Sequence, residues 1–249
     1  MNFLEIRNLT KEFGKLRAVN NVSFEVQKGS LVAIIGPNGA GKSTLFNLFT
    51  GYFAVSSGKV IFKDEEITNL PPYKILQKGI SRSFQVSNIF PDLTAFENVR
   101  IGVLSHRRKS MKLLSLVDEM DEINEETLKI LKMVELSNEN DTVANTLSHG
   151  DQKRLEIGIA LTSEPALLLL DEPTAGMAPE ETVNTVNLIK DISKKQNTTI
   201  VFTEHDLNVV FSIAERIIVL QQGIIIGDGT GEEIKGNKKV KEAYLGEEV

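Results

Sequence analysis

Continuous apolar runs alternate with amphipathic segments along most of the chain. RIIVLQQGIIIGDG (216–229) predicts two strands joined by a turn at Gly223. PEETVNTVNLIKDISKK predicts a helix with Pro179 in its first turn. This alternation predicts an α/β fold. Strands buried on both faces, as in a parallel sheet, are predicted for LVAIIG (31–36), ALLLLDEP (166–173) and TTIVFTEH (198–205).

The middle of the chain has a different pattern. From about Gln85 to Asn145 the strand signals fade, and LTAFENVRIGVL begins with Thr94 and Glu97 at the spacing of a helix capping box. The acidic stretch from Asp118 to Glu126 is predicted to be a solvated loop or the start of a helix. A helical segment therefore interrupts the α/β pattern.

A phosphate-binding loop follows the first buried run. GPNGAGKST fits the strand–GxxxxGK[ST]–helix pattern in full, and STLFNLFTG predicts a helix that ends at Gly51. Glycines let backbone N–H groups converge on phosphate oxygens, and a helix N-terminus favours an anion. We expect Lys42 to reach the β- and γ-phosphates and the Ser43 hydroxyl to bind Mg²⁺. The predicted ATP-binding residues here are Gly36, Pro37, Asn38, Gly39, Ala40, Gly41, Lys42, Ser43 and Thr44.

An acidic pair follows the run of leucines. Asp171 and Glu172 come at the end of a predicted strand, which is where ligands bind in open α/β sheets. We expect Asp171 to hold Mg²⁺, directly or through water. Glu172 is predicted to act as the general base for attack on the γ-phosphate.

Two more polar residues are predicted at the same edge. His205 is one of three histidines and ends a predicted strand. A lone histidine is more often structural, but at this place we expect a contact with the γ-phosphate. Gln85, in SRSFQ, is predicted to orient the attacking water or to complete the Mg²⁺ shell; taken alone it would be an ordinary polar residue.

Composition narrows the classes of protein that these motifs fit. The 249 residues carry a net charge of −6, which gives no support for nucleic-acid binding. The absence of cysteine excludes disulfides and thiolate chemistry and fits a cytosolic protein. The N-terminal residues lack the apolar core of a signal peptide, and the apolar runs are far shorter than a membrane span. A protein of this kind would act at a membrane as a peripheral subunit.

Taken together, the motifs resemble those of one family. The loop at Gly36, then Gln85, LSHGDQ (147–152), LLLLDEP and His205 are similar in order and spacing to the motif series of ABC-type ATPase subunits. The resemblance implies a single ABC ATPase domain over 1–249: a RecA-like P-loop NTPase core, an antiparallel β subdomain and an inserted α-helical signature subdomain. The core lobe would cover about 1–84 and 153–249, and the helical lobe about 85–152.

LSHGDQ resembles the signature motif of that family. There the motif binds the γ-phosphate of ATP held by the other subunit of a head-to-tail dimer. The resemblance implies such a role in trans for Ser148, His149, Gly150, Asp151 and Gln152. Compared with the common form LSGGQ, we interpret His149 as replacing a glycine and Asp151 as inserted before Gln152. His149 is either a tuning contact or only a variant of the motif.

The resemblance implies two further roles. Gln85 would link the ATP state to the helical lobe, which in relatives receives coupling helices of membrane subunits. Phe13, in KEFGK, matches the position where an aromatic ring stacks on adenine. Packing of Phe13 in the core is the alternative, because aromatic residues are usually buried.

Finer details resemble the ATP-binding subunits of importers for branched-chain amino acids and related amides such as urea. TAGMAPEE, SRSFQVSNIFPDLTAFENV and VKEAYLG carry this likeness. The implied function is hydrolysis of ATP to power such an importer from the cytoplasmic face of the cell membrane. The implied partners are a second ATPase subunit (a paralogue or a second copy), two permease subunits and, indirectly, an extracytoplasmic solute-binding protein, with no nucleic acid.

Other functions stay open at this point. The alternative is the ATPase of an ABC exporter or of a lipopolysaccharide- or lipid-transport system, which has similar motifs. A soluble ABC protein of translation or DNA repair fits less well, because the chain has no second ATPase domain and no long coiled-coil insert. A GTP-binding switch protein fits poorly. The segment most similar to a guanine-binding NKxD motif has Val240 in place of the aspartate.

Overall fold

Two β-sheets form the framework of the structure, a computed structural model that describes residues 3–83, 89–107 and 116–245. The strands are β1 (Leu4–Phe13), β2 (Leu16–Val26), β3 (Leu31–Ile35), β4 (Ser57–Phe62), β5 (Glu65–Glu66), β6 (Ile80–Arg82), β7 (Leu167–Asp171), β8 (Thr199–Thr203), β9 (Arg216–Gln221) and β10 (Ile224–Gly229). β2, β1, β4 and β5 form an antiparallel sheet in that order. β10, β9, β3, β8, β7 and β6 form the other sheet, which is parallel except for the β9–β10 hairpin.

Helices connect these strands and cover the second sheet. They are α1 (Lys42–Phe49), α2 (Pro72–Gln77), α3 (Ala95–Arg107), α4 (Leu116–Met133), α5 (His149–Leu161), α6 (Pro179–Gln196), α7 (Leu207–Ile213), α8 (Gly231–Gly236) and α9 (Lys238–Leu245), with two 3₁₀ turns at Ser137–Glu139 and Ala144–Thr146. The α/β fold with a separate antiparallel sheet is confirmed. The acidic stretch 118–126 lies wholly inside α4, so the expectation of a loop there was wrong and that of a helix was right.

The central strands form where the apolar runs predict them. Every residue of β3, β7 and β8 is buried. Alternate residues of β3 belong to two cores: Leu31, Ala33 and Ile35 pack in the cluster that includes α5 and α6, and Val32 and Ile34 pack with α1 and the antiparallel sheet. A strand buried on both faces needs an uninterrupted apolar run, and this explains why these segments lack polar alternation.

The helical segment is anchored by the predicted capping box. The Thr94 backbone N–H donates to Glu97 Oε2 (2.8 Å), and Thr94 Oγ1 accepts from the Glu97 N–H (3.1 Å). Residues of α3, α4 and α5 then pack into the same core cluster as the central sheet. The predicted boundary between the lobes at 152/153 falls inside α5, and the division into lobes stays a prediction.

Across the residues that the structure describes, no helix combines the length and the apolar character needed to span a bilayer.

We predict that truncation of a central leucine strongly destabilises the fold. Leu168 in β7 is fully buried, so Leu168→Ala leaves a cavity and is expected to lower the free energy of unfolding by about 2–5 kcal/mol. Leu128→Ala in α4 is the matched control, because Leu128 is exposed and the change should stay within about 0.5 kcal/mol. Urea unfolding of both variants measures the difference; equal effects would contradict the assigned burial.

Candidate active site

The parallel strands bring three predicted segments to one edge of the sheet. Ile34 of β3 pairs with Thr203 of β8, and Thr203 pairs with Asp171 of β7. These residues form one row across three neighbouring strands. The phosphate loop, Glu172 and His205 therefore leave the sheet side by side, at the carboxyl edge where open α/β sheets bind ligands.

The phosphate loop needs glycine at its tight approaches. A Cβ atom on Gly36 would lie 2.1 Å from the Leu220 carbonyl oxygen, and one on Gly41 would lie 2.4 Å from that of Ala18. Gly41, with φ 106°, directly precedes α1, whose first residue is Lys42. The Lys42 ammonium donates to the carbonyl oxygens of Gly36 (2.6 Å) and Pro37 (3.2 Å). The ammonium thus lies across its own loop, beside the helix N-terminus that would face an anion.

Asp171 is buried in an ion pair that the sequence motifs did not predict. Its Oδ2 accepts from Arg82 Nη2 at 2.7 Å, and its Oδ1 accepts from the Thr203 hydroxyl at 2.7 Å. The Arg82 guanidinium also donates to Asn47 of α1 (2.7 Å) and lies 5.5 Å from the centre of the Phe46 ring. Arg82 stands in the SRSFQ stretch, but nothing local in that stretch identifies its partner.

Glu172 has an unusual backbone and contacts His205. Its φ is 49°, a left-handed conformation that costs a non-glycine residue of order 1–3 kcal/mol. Its N–H donates to the carbonyl and hydroxyl oxygens of Thr203, both at 3.1 Å. Glu172 Oε1 lies 2.9 Å from His205 Nε2. A carboxylate only accepts, so Nε2 carries the proton in this contact. Since 47% of the His205 side chain is exposed, water can reach the pair.

A buried carboxylate, Glu204, stands next to His205. Glu204 Oε1 accepts from the backbone N–H (2.8 Å) and the hydroxyl (2.7 Å) of Thr174. Burial raises the pKa of the Glu204 carboxyl, although the hydrogen bonds from Thr174 act in the opposite direction. Glu204 is the second residue of the TEHD segment, but nothing in that segment indicates its contact with Thr174, which depends on the tertiary structure.

The signature segment begins helix α5. Ser148 is the N-cap residue, and its hydroxyl accepts from the Asp151 backbone N–H at 3.1 Å. The Gln152 N–H bonds to the Ser148 carbonyl (2.9 Å) in regular helical spacing. Because the helix is continuous here, we interpret Asp151 as taking the place of the glutamine in LSGGQ and not as an insertion. The Gln152 side chain donates to the Leu147 carbonyl (3.3 Å).

A carboxylate of the same chain lies on the signature segment. Glu181 Oε1 is 3.1 Å from the Ser148 hydroxyl, and a Cβ atom on Gly150 would lie 2.7 Å from it. Hydrogen bonds from the Ala178 backbone and from Ser148 lower the pKa of the Glu181 carboxyl. The N-terminus of α5 thus holds a negative group here. His149 lies beside Gly176, where a Cβ would be 3.3 Å from the imidazole.

Phe13 and Gln85 are the two remaining residues for which the sequence predicts a role. Phe13 is 43% exposed at the end of β1 and packs edge to face on Phe53, with 5.3 Å between the ring centres. Core packing, the alternative for Phe13, is therefore excluded. Gln85 lies outside the residues that the structure describes.

The donor set suits a hard divalent cation that binds together with phosphate. The Ser43 hydroxyl is exposed at the start of α1, and Asp171 supplies a carboxylate. Within the described residues, no cluster of three or more histidine or acidic side chains could hold a metal alone. Mg²⁺ commonly binds through one or two protein oxygens plus substrate phosphates and water. The exposed Ser43 fits such a site directly, whereas Asp171, whose two oxygens accept from Arg82 and Thr203, fits it only through a bridging water.

The fold and this edge define a P-loop nucleotide-binding protein. Residues 19–175 match the ABC transporter family, and the chain belongs to that family. It is accordingly an ATP-hydrolysing subunit that works in transport. Residues 225–249 also match a family described as branched-chain amino acid ATP-binding cassette transporter.

Relatives are similar along nearly their full length. BraF of Pseudomonas aeruginosa, a high-affinity branched-chain amino acid transport ATP-binding protein, is 39% identical over 98% of this chain and 98% of its own. The ADP conformation of the ATP-binding cassette MJ1267 has a TM-score of 0.87 and 36% identity over 99% of both chains. The dimeric post-hydrolysis state of MJ0796 bound to ADP and Pi has a TM-score of 0.79 and 29% identity, over 91% of this chain and 98% of that one.

We predict that the Arg82–Asp171 pair is energetically coupled. Arg82→Met leaves Asp171 as a buried charge without its partner, which is expected to lower the free energy of unfolding by about 3–5 kcal/mol. The double variant Arg82→Met/Asp171→Asn buries no charge and should be more stable than Arg82→Met alone. Chemical unfolding of the two single variants and the double variant completes the cycle. Additive losses would show that the two side chains are not coupled.

Proposed function

We propose that the chain hydrolyses ATP to power a membrane importer for branched-chain amino acids or related small polar solutes. The hydrolytic part rests on the 2.9 Å contact between Glu172 and His205, at the sheet edge that also carries the phosphate loop. The solute class rests on the likeness to BraF and on the match of residues 225–249. Both favour import over the exporter alternative.

The phosphate loop would hold the triphosphate. Residues 36–44 supply converging N–H groups and the N-terminus of α1. Lys42 would leave the carbonyl oxygens of its own loop and turn to the β- and γ-phosphates. Ser43 and Asp171, together with Gln85, would hold Mg²⁺, which neutralises charge on the phosphates when bound. Phe13, exposed at the end of β1, would stack on the adenine ring.

Glu172 would accept the proton of the attacking water. Its carboxylate is 20% exposed, so a water molecule can approach it. His205 orients the carboxylate through Nε2 and would also contact the γ-phosphate when ATP binds. General base catalysis of this kind contributes about 10²–10⁴-fold to a rate.

The signature segment would act on the ATP of a facing subunit. Ser148 and Gly150 would contact that γ-phosphate, with His149, Asp151 and Gln152 beside it. The place is suited to an anion, because the Glu181 carboxylate lies there. An incoming phosphate would therefore have to displace Glu181, and this links closure of the dimer to a movement at the start of α6.

The partners follow from the same proposal. A second ATPase subunit, a paralogue or another copy, would face this one head to tail. Two permease subunits would receive the mechanical work, and an extracytoplasmic solute-binding protein would deliver the solute. The chain would lie at the cytoplasmic face of the membrane, with a core lobe (about 1–84 and 153–249) and a helical lobe (about 85–152).

Removal of the base is the first test. Glu172→Gln keeps the size of the side chain but cannot accept a proton, so ATP hydrolysis should fall about 10²–10⁴-fold. Binding of ATP should persist, since the phosphate loop is unchanged. Phosphate release and fluorescent-nucleotide titration measure the two properties, with the exposed Glu232→Gln as the control. Hydrolysis at the wild-type rate would refute the role of Glu172.

A second test separates the two nucleotide contacts. Ser148→Arg places a bulky cation at the start of α5 and should abolish ATP-driven dimerisation and hydrolysis. Nucleotide binding by the monomer should be nearly unchanged, because Lys42 and its loop are intact. Ser137→Arg, on an exposed 3₁₀ turn, is the matched control. Light scattering measures dimerisation; loss of monomer binding in Ser148→Arg would refute the action in trans.

A further inference from the structure

Glu204 is a buried acid to which the proposed reaction assigns no role. The residue is 3% exposed and directly follows β8, between Thr203 and His205. Burial raises the pKa of its carboxyl, because the charged form is costly away from water. A glutamine or an apolar residue would avoid that cost, and the reason for the acid must lie in its contacts.

The contacts of Glu204 join two loops. Its Oε1 accepts both donors of Thr174, the backbone N–H at 2.8 Å and the hydroxyl at 2.7 Å. Its Oε2 accepts the backbone N–H of His205 at 3.2 Å. Thr174 is in the loop after β7 and His205 is in the loop after β8. One carboxylate therefore ties together the segments that carry Glu172 and His205.

Glu172 is held from both sides by this arrangement. On its N-terminal side, its N–H is bonded to Thr203 of β8. On its C-terminal side, the chain is held two residues later, at Thr174, by Glu204. The left-handed backbone at Glu172, with φ 49°, is a conformation that persists only where the surroundings enforce it.

We propose that Glu204 is a positioning residue for hydrolysis: by holding Thr174 and the backbone of His205, it keeps the Glu172 carboxylate against His205 Nε2. This inference rests on the proposed role of Glu172 as the base. Both oxygens of Glu204 are occupied by donors from the protein, so the residue acts through its neighbours and not on the substrate.

Replacement of Glu204 tests this role in the full chain. Glu204→Gln keeps one oxygen for Thr174 but presents an amide donor to the His205 N–H, and kcat should fall at least about 10-fold. Glu204→Ala removes both links, and kcat should fall about 10²-fold, the order expected from misplacing a catalytic group by about 1 Å. The KM for ATP should stay within about twofold, because the phosphate loop is untouched. Glu232→Gln is the exposed control.

Stability separates positioning from a merely structural role. The raised pKa of the Glu204 carboxyl means that its contribution to stability falls as pH rises from the unfolded value through the folded one. A glutamine does not titrate, so Glu204→Gln lacks this pH dependence. The unfolding midpoint of Glu204→Gln minus that of the wild type should therefore be larger at pH 7.5 than at pH 4.5. A loss of kcat without a loss of stability at pH 7.5 supports positioning. A fall in both together would overturn it.

Thr174 supplies a matched pair of variants. Thr174→Ser keeps both donors to Glu204 and should retain kcat. Thr174→Val lacks the hydroxyl, so its kcat should fall as that of Glu204→Gln does. Glu204→Ala combined with Thr174→Val should be no worse than Glu204→Ala alone, because both act through one contact.

The outcomes also distinguish this proposal from the one on which it rests. An active wild type with an inactive Glu172→Gln, together with Glu204→Ala at the wild-type kcat, would overturn positioning alone. A wild type without ATP hydrolysis would overturn the proposed function and this inference with it.

Discussion

The parallel register of β3, β8 and β7 is the constraint on which the candidate site depends. It places Ile34, Thr203 and Asp171 in one row, so three loops leave the sheet at the same height. Because these strands are buried on both faces, a shift of one residue would move every side chain to the opposite core, and the register is strongly specified. The apolar packing of the sheet thus fixes the separations on which hydrolysis would depend.

Buried charge is concentrated at the end of this row. Asp171 is neutralised by Arg82 of the neighbouring strand β6, and Glu204 is surrounded by donors from Thr174 and His205. A buried carboxyl group is costly unless it is hydrogen-bonded, and each of these two accepts a hydrogen bond from a different strand or loop. Thr203 lies between them, since its hydroxyl donates to Asp171 and accepts from the Glu172 N–H. The edge is therefore a bonded network in which Glu172, His205 and Asp171 have defined places.

Much of the fold and of the candidate site could be predicted, because the sequence patterns that indicate them are local. The buried strands, the hairpin at Gly223 and the capping box at Thr94 follow from apolar periodicity and turn chemistry within short windows. The placement of Glu172 and His205 at one edge follows from the rule that ligands bind where parallel strands end. The secondary structure of the stretch 118–126 could not be predicted in this way, because acidic residues occur both in solvated helices and in loops.

By itself, the sequence determined the strands, the phosphate loop and the polar residues that follow each strand, since these depend on neighbours along the chain. Only the tertiary structure decided which of those polar groups bond to one another. Arg82 meets Asp171 because β6 lies beside β7, and Glu204 meets Thr174 because β8 lies on the other side of β7. Strand order is set by the packing of the whole sheet against its helices, and no short window of the sequence carries that information.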